Sequence, residues 1–533
     1  MVATSHDLAT QAGVDALRRG GSAVDAAIAA NAVLCAVYPH MAGLGGDGFW
    51  LIHDGSGVQA LNASGPAAAA ATRDRYRDQG HIDSIPSRGG VAALTVPGAV
   101  DGWRAAHERH GRLDWSSLFD DAVHLASSGA PVGRSLTEWT AEDVEDLSAN
   151  DEAARIFLPS GRAPRDGERL VNADLADSLR LIAQHGARDG FYRGDLAHRL
   201  CEGAAAVGSP LDPADFESFE AEWVEPLSVT YRGLTAWEFP PNTQGFAALQ
   251  ILKLIEGFDV GAWGDLSFEY VHHMAEAVKL SFADRNEWLT DPAAVDIPLD
   301  RLLSEEYLSQ RRDLISADRA MVMDEVDAGI AFDDSSRREQ APGGDTCYFC
   351  AVDGEGLAVS VIQSIYHDFG SCVVPEGTGI ILQNRGSFFS LDDDHPNRLD
   401  PGKKTFHTLI PAMLTDGAQP WMVYGTMGGE GQPQTHAAMV TRMVDRGFDV
   451  QQAIEAPRWL MGRTWGAESQ DLWLEGRIPD ETVRALELVG QPVKMVQDWN
   501  DNMGHAQAIR IHADSGLFEG GADPRGDGSA AGF

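Results

Sequence analysis

Hydrophobic and polar positions follow two different periods along the chain, and the change of period divides it. Ser5 to Arg19 carries apolar residues at helical spacing and stops at Gly20-Gly21. Ser22, with Asp25 three residues on, reads as a capping box that opens a second helix. That helix, "VDAAIAANAVLCAVYPHMAG", is apolar nearly all round, which predicts burial, while Asn31 and the stop at Pro39 argue against a membrane span. A glycine cluster, "GLGGDGFWLIHDG", leads into a strand. From about Arg75 to Ser316 the pattern is mostly helical, interrupted by a strand pair within "VEPLSVTYRGLTAWEFPPNTQG".

Residues 317 to 345 lose periodicity and turn polar and acidic, which predicts a mobile surface segment that can be severed without loss of core. Next, "TCYFCAV" and "LAVSVIQSI" are strand-like runs joined by "DGEG", the signature of a hairpin. Pairing Val352 with Leu357 and counting outward sets Thr346 opposite Gln363 and within one residue of Ser364. The remainder to about residue 515 alternates strands with helices at "PQTHAAMVTRMVDRG" and "DVQQAIEAPRWL".

Charge narrows the function classes. With 80 acidic against 41 basic residues the 533-residue chain carries a formal charge of -39, which argues against nucleic-acid and anionic-membrane partners. The start "MVATSHDLATQAG" has neither a basic nor an apolar stretch of the secretory kind, and the five cysteines form no regular even set, so a reducing, cytoplasmic setting is expected. No cofactor or metal is expected either. Cys347 and Cys350 form a CxxC, but in a strand they point to opposite faces. Gly43, Gly45 and Gly48 match G-x-G-x-x-G, yet a helix precedes them and a strand follows, the reverse of a dinucleotide site. His272-His273 lack ligand spacing. In the tail, Arg525-Gly526-Asp527 is a short motif that reads as part of a surface closing segment.

The Asp345-Thr346 step carries the candidate chemistry. A threonine starting a buried strand behind a severable loop is what an N-terminal nucleophile requires. Once the Asp345–Thr346 bond is cut, the freed α-amine, whose ordinary pKa is about 7.7–8.0, can take the hydroxyl proton. Downstream, "VYGTMGGEGQPQTHAAMV" runs an apolar strand into Gly428-Gly429, whose backbone N–H groups suit an oxyanion. No G-x-S-x-G nucleophile elbow is present.

In "GGDT" before the hairpin, "GTGIILQN" with "FFSL", "PGKKTFHTLIPAM", "GTMGGEGQPQ" and "AIEAPRW", the chain resembles the γ-glutamyltransferase family of N-terminal-nucleophile hydrolases. "VPGAVDGW", "PPNTQG" and "FADRNEWLTDP" resemble it in the same order. The resemblance implies an α+β fold, a four-layer αββα sandwich of two stacked antiparallel sheets. It implies a proenzyme cut before Thr346 into a large subunit, 1–345, and a small subunit, 346–533, which stay intertwined as a heterodimer with a higher oligomer possible. By position Thr346 matches the nucleophile, Ser364 the hydroxyl beside it, and Gly428 with Gly429 the oxyanion hole.

On the substrate side the chain departs from γ-glutamyl enzymes. Their carboxylate-binding arginine would fall near Asn62, their amine-binding acid near Phe388, an asparagine near Tyr366 and a serine pair at His407-Thr408. The pattern is similar to the branch containing oxamate amidohydrolase and proteins labelled cephalosporin acylases. Arg385 and His407, with Tyr366 and Thr408 nearby, are then the expected contacts for a small carboxylate-bearing amide. The alternatives are glutathione hydrolysis or γ-glutamyl transfer, and an unprocessed, non-catalytic member of the family.

Overall fold

The computed structural model describes residues 1–332, 345–462 and 469–533. Two antiparallel sheets form its centre. The first has seven strands in the order Ser529–Ala531, Val2–Thr4, Asp345–Val352, Ala358–Tyr366, Asp47–His53, Val58–Ala63 and Glu222–Val224. The second has six: Leu517–Ala522, Ala506–His512, Gln419–Thr426, Ala412–Asp416, Leu234–Glu238 and Leu227–Tyr231. Both sheets mix strands from before and after Thr346.

Side-chain alternation builds the layers. Along Asp345–Val352, Cys347, Phe349 and Ala351 enter the core beneath the outer helices, while Tyr348, Cys350 and Val352 enter the core between the sheets. The two CxxC thiols therefore point apart, and burial pushes the Cys350 thiol up to about 12. Helices Asp7–Arg18 and Ala23–Val37 cover the first sheet, the second of them buried along its whole length and opened by the Ser22/Asp25 capping box. Helices Gly245–Glu256, Phe268–Trp288 and Gln432–Val444 pack in the core cluster beyond the second sheet. The arrangement is the αββα sandwich that the resemblance implied. Among the described residues no helix is long and apolar enough to cross a membrane.

The hairpin register differs by one from simple counting. Val352 pairs with Ala358, and Cys347 with Gln363. The cause is Asp353, whose Oδ1 accepts the N–H groups of Glu355 at 2.9 Å and Leu357 at 3.1 Å, drawing Leu357 into the loop. Between Gln363 and Tyr366 the register shifts, and Tyr366 pairs with Asp345. Ser364 and Ile365 together therefore face Thr346, a β-bulge at the candidate nucleophile.

Two other expectations change. Residues 317–332, expected as part of a mobile segment, are tied to the helix Phe268–Trp288, because acidic side chains of that helix receive their amides. Met321 N–H donates to Glu276 Oε2 at 2.9 Å and Gly329 N–H to Asp284 Oδ1 at 3.0 Å, while Trp288 Nε1 donates to Ile330 O at 2.7 Å. The rest of that segment, 333–344, lies outside the described residues. Arg525 of the Arg-Gly-Asp tail is not a surface residue. It is buried between Glu475 Oε1 at 2.6 Å and Asp523 Oδ1 at 3.1 Å.

Candidate active site

Thr346 takes the same face of its strand as Tyr348 and Cys350, so its side chain enters the space between the sheets. It is fully buried, and its hydroxyl has no hydrogen-bond partner among the described residues. Across the bulge stands Ser364, on the face of Ser360 and Ile362. Ser364 pairs with Asp47, and Gly48 with Ala63, which brings Ser64 beside Asp47. A row of polar residues, Thr346, Ser364, Asp47 and Ser64, thus closes one end of an otherwise apolar sheet face.

Ser364, Asp47 and Ser64 are held from behind. Ser364 Oγ accepts the N–H of Tyr366 at 2.7 Å and Nη2 of Arg385 at 3.2 Å. Asp47 Oδ1 accepts the N–H groups of Gly65 at 3.1 Å and Gly98 at 3.0 Å, and its Oδ2 lies 3.0 Å from His407 Nε2. His407 Nδ1 in turn lies 3.0 Å from Thr405 O and 3.2 Å from Asn242 Nδ2. Both His407 nitrogens are engaged by the protein, so this residue reaches the site through Asp47. Burial, helped by the Arg385 charge, pushes its pKa down. Asn62 is wired into the same group: its Nδ2 donates to Asn242 Oδ1 at 3.0 Å, and its Oδ1 accepts from Ser64 Oγ at 2.7 Å.

Arg385 opens the short turn Arg385–Phe388 and is fully buried. Its guanidinium carbon lies 4.3 Å from the Tyr366 ring centroid, and Tyr366 packs tilted against Phe388 at 4.4 Å, which packs tilted against Phe406 at 4.4 Å. Tyr366 reaches this position through a left-handed backbone, φ +83°. Nε and Nη1 of Arg385 have no hydrogen-bond partner among the described residues. Burial pushes its pKa down to about 10, which still leaves it a cation at neutral pH. Such a group, with donors unspent, is suited to a carboxylate.

The glycine pair approaches from the second sheet. Ser360 Oγ lies 3.5 Å from Tyr424 O, and two residues nearer Thr346 the Tyr348 ring covers Gly425, leaving only 2.4 Å to an added Cβ. Continued in that direction, Thr346 lies at the end where Gln419–Thr426 runs into Gly428. Gly428 and Gly429 have φ of +121° and +53°, a path that glycine alone follows without strain, before the turn Gly429–Gly431 and the helix Gln432–Val444. Among the described residues neither of their N–H groups has an acceptor. Thr408 is buried nearby, its Oγ1 without a partner among the described residues and its carbonyl bonded to Gln244 Nε2 at 2.8 Å.

Asp47, Asn242, Gln244 and Arg285 were not singled out from the sequence. Asn242, Gln244 and Arg285 lie in runs whose order resembles the family and Asp47 lies in the glycine cluster, and the available signal was a polar residue beside a buried strand or among apolar helical positions.

The family described as Gamma-glutamyltranspeptidase matches residues 9–533. The chain is 46% identical over 535 residues to the "Glutathione hydrolase-like YwrD proenzyme" of Bacillus subtilis, covering 100% of this chain and 98% of the relative. It is 43% identical over 544 residues to the "Oxamate amidohydrolase proenzyme" of Klebsiella pneumoniae, again covering 100% and 98%. Its fold is similar to the crystal structure of a cephalosporin acylase from Bacillus halodurans, with a TM-score of 0.92, 35% identity and coverage of 100% of this chain and 95% of that one.

Proposed function

Because this chain belongs to the γ-glutamyltranspeptidase family of hydrolases and acylases, we propose that it is a self-processing amidohydrolase acting on a short amide that carries its own carboxylate, as oxamate does. Arg385 supports this substrate class most directly. A buried guanidinium with two unspent donor groups, 3.2 Å from the Ser364 hydroxyl, stands one side chain away from the position of Thr346. A short acyl group suits that arrangement.

Scission between Asp345 and Thr346 frees the Thr346 α-amine. Arg385 takes the substrate carboxylate, and Thr346 Oγ1 adds to the amide carbon while its proton passes to the amine. The carbonyl oxygen, now negative, receives the N–H groups of Gly428 and Gly429. Collapse breaks the C–N bond, the amine returns the proton to the leaving nitrogen, and ammonia departs. Water, deprotonated by the same amine, attacks the ester carbon and releases oxalate and the free hydroxyl. Tyr366, Phe388 and Phe406 exclude water behind Arg385. By the family resemblance Asn62 and Phe388 stand where γ-glutamyl enzymes would carry an arginine and an acid, which supports a smaller acyl group.

A denaturing gel with an ammonia assay tests the proposal. The parent protein should give two bands and release ammonia from oxamate but no p-nitroaniline from γ-glutamyl-p-nitroanilide. Thr346→Ala should give one band and no ammonia. An active parent that runs as one intact band, or a two-band Thr346→Ala, refutes the nucleophile; turnover of the γ-glutamyl substrate alone refutes the substrate class.

A further inference from the structure

A chain of buried polar side chains, unused in the steps above, lies against the glycine pair. Gln244, at the N-cap of the helix Gly245–Glu256, is fully buried. Its Nε2 donates to carbonyls of two separate segments, Thr408 O at 2.8 Å and Gly429 O at 3.0 Å. Its Oε1 accepts from Nη1 of Arg285 at 2.9 Å. A guanidinium can only donate, so Arg285 determines which end of the Gln244 amide faces which way. With Oε1 turned to Arg285, both hydrogens of Nε2 remain for the two carbonyls. Arg285 is held in turn by Asn286 Oδ1, 3.0 Å from Nε, and by Glu430 Oε2, 3.2 Å from Nη2.

The position of this chain matters because two successive glycines have the widest backbone freedom of any dipeptide. The Gly428 carbonyl accepts the Gly431 N–H at 2.8 Å, and the Gly429 carbonyl accepts Gln244. Across a trans peptide the C=O and the N–H point in opposite directions. Engaging Gly428 O therefore turns the Gly429 N–H the other way, and holding Gly429 O fixes the next peptide plane, Gly429–Glu430, against which the Gly428–Gly429 peptide would otherwise turn. The Gly429 carbonyl also accepts the Gln432 N–H, and of these three bonds that of Gln244 comes from a distant part of the chain.

We propose that Gln244, oriented by Arg285, is a positioning residue that holds the Gly428–Gly429 amides in the direction that receives the oxyanion, and so governs the rate at which Thr346 is acylated. This rests on the reading of Thr346 as nucleophile and is independent of the natural amide.

The probe is p-nitrophenyl acetate, which has no carboxylate for Arg385. Thr346 Oγ1 bonds to the acetyl carbon, its proton passes to the α-amine, and p-nitrophenolate leaves; the phenolate burst and the acetyl mass on Thr346 are read. In Gln244→Glu, which cannot donate to either carbonyl, the limiting acylation rate should fall roughly 10²-fold with the half-saturating ester concentration within about twofold of the parent. Arg285→Lys keeps a donor for Gln244 Oε1 and should lose about tenfold or less. Gln244→Met serves in the same assay where the charged variant does not fold. A parent that takes no acetyl group on Thr346 removes the nucleophile reading and this role together. A parent that is acetylated alongside a Gln244 variant within about threefold of it overturns the positioning role alone, as does a loss seen wholly in half-saturation.

Discussion

Arg385 and Ser364 meet at 3.2 Å, guanidinium Nη2 to hydroxyl, where a β-bulge sets two residues of one strand against Thr346. One hydroxyl thus joins the cation that would hold a substrate to the strand paired with the one that carries the candidate nucleophile. If Arg385 binds and Thr346 attacks, as proposed, the backbone of that bulge would set the distance between the two.

Substrate affinity should follow from this cation. Arg385→Lys replaces a planar fork by a point charge, and KM for oxamate should rise about 10- to 100-fold, with acetylation of Thr346 by p-nitrophenyl acetate unchanged. Because burial holds the Arg385 pKa at about 10, KM in the parent should stay flat from neutral pH upward and climb as pH passes that value. A Lys variant with parental KM removes Arg385 from the substrate.

Stability should report on His505, whose carbonyl accepts the Met427 N–H at 3.1 Å, one residue before Gly428. Burial alone would lower the His505 pKa, but the charge and hydrogen bond of Asp501 outweigh it and leave the pKa raised. A raised folded value means that this stabilisation is complete below the unfolded imidazole value, about 6.5, and is lost as pH rises through the folded value. The urea midpoint should therefore fall with rising pH above about 6.5, and His505→Asn should remove that portion of the slope. An unchanged slope in the variant shows that the pair does not contribute.

The stacking of the sheets can be probed at Gly425. An added Cβ there would lie 2.4 Å from Tyr348 Cδ2 and Cε2, and the ring cannot swing aside because its hydroxyl is 2.8 Å from Ser360 Oγ. Gly425→Ala should destabilise the protein by about 1–3 kcal/mol in urea denaturation. It should also slow the appearance of two bands, since Tyr348 is two residues from Thr346. Parental stability would mean that the sheets part more easily at this point than their packing indicates.

Local features were legible in the sequence because local chemistry sets them. Ser22 and Asp25 cap their helix through their own backbone, Cys347 and Cys350 diverge because strand side chains alternate, and Gly428-Gly429 need a backbone that glycine adopts. The hairpin register was off by one because an aspartate side chain, not the run of apolar residues, decides where Leu357 goes. Gln244, Arg285 and Asp47 were missed for a related reason. Their partners lie far away in the chain, at Gly429, Gln244 and His407, and nothing adjacent distinguishes them from ordinary polar residues. His407 shows the opposite limit: its type suggested a ligand contact, but Asp47 on one side and Thr405 and Asn242 on the other engage both ring nitrogens.

The strand Asp345–Val352, which carries Thr346, lies between Val2–Thr4 on one side and Ala358–Tyr366 on the other, third from one edge of its sheet. A cut there makes a new terminus in the middle of a finished fabric, so each fragment made alone would display open strand edges and bare apolar faces, surfaces prone to self-association. Assembly would then have to precede the proposed scission. Co-mixing the two pieces after separate synthesis is then a poor route to the enzyme, and heredity as one gene is built into the weave.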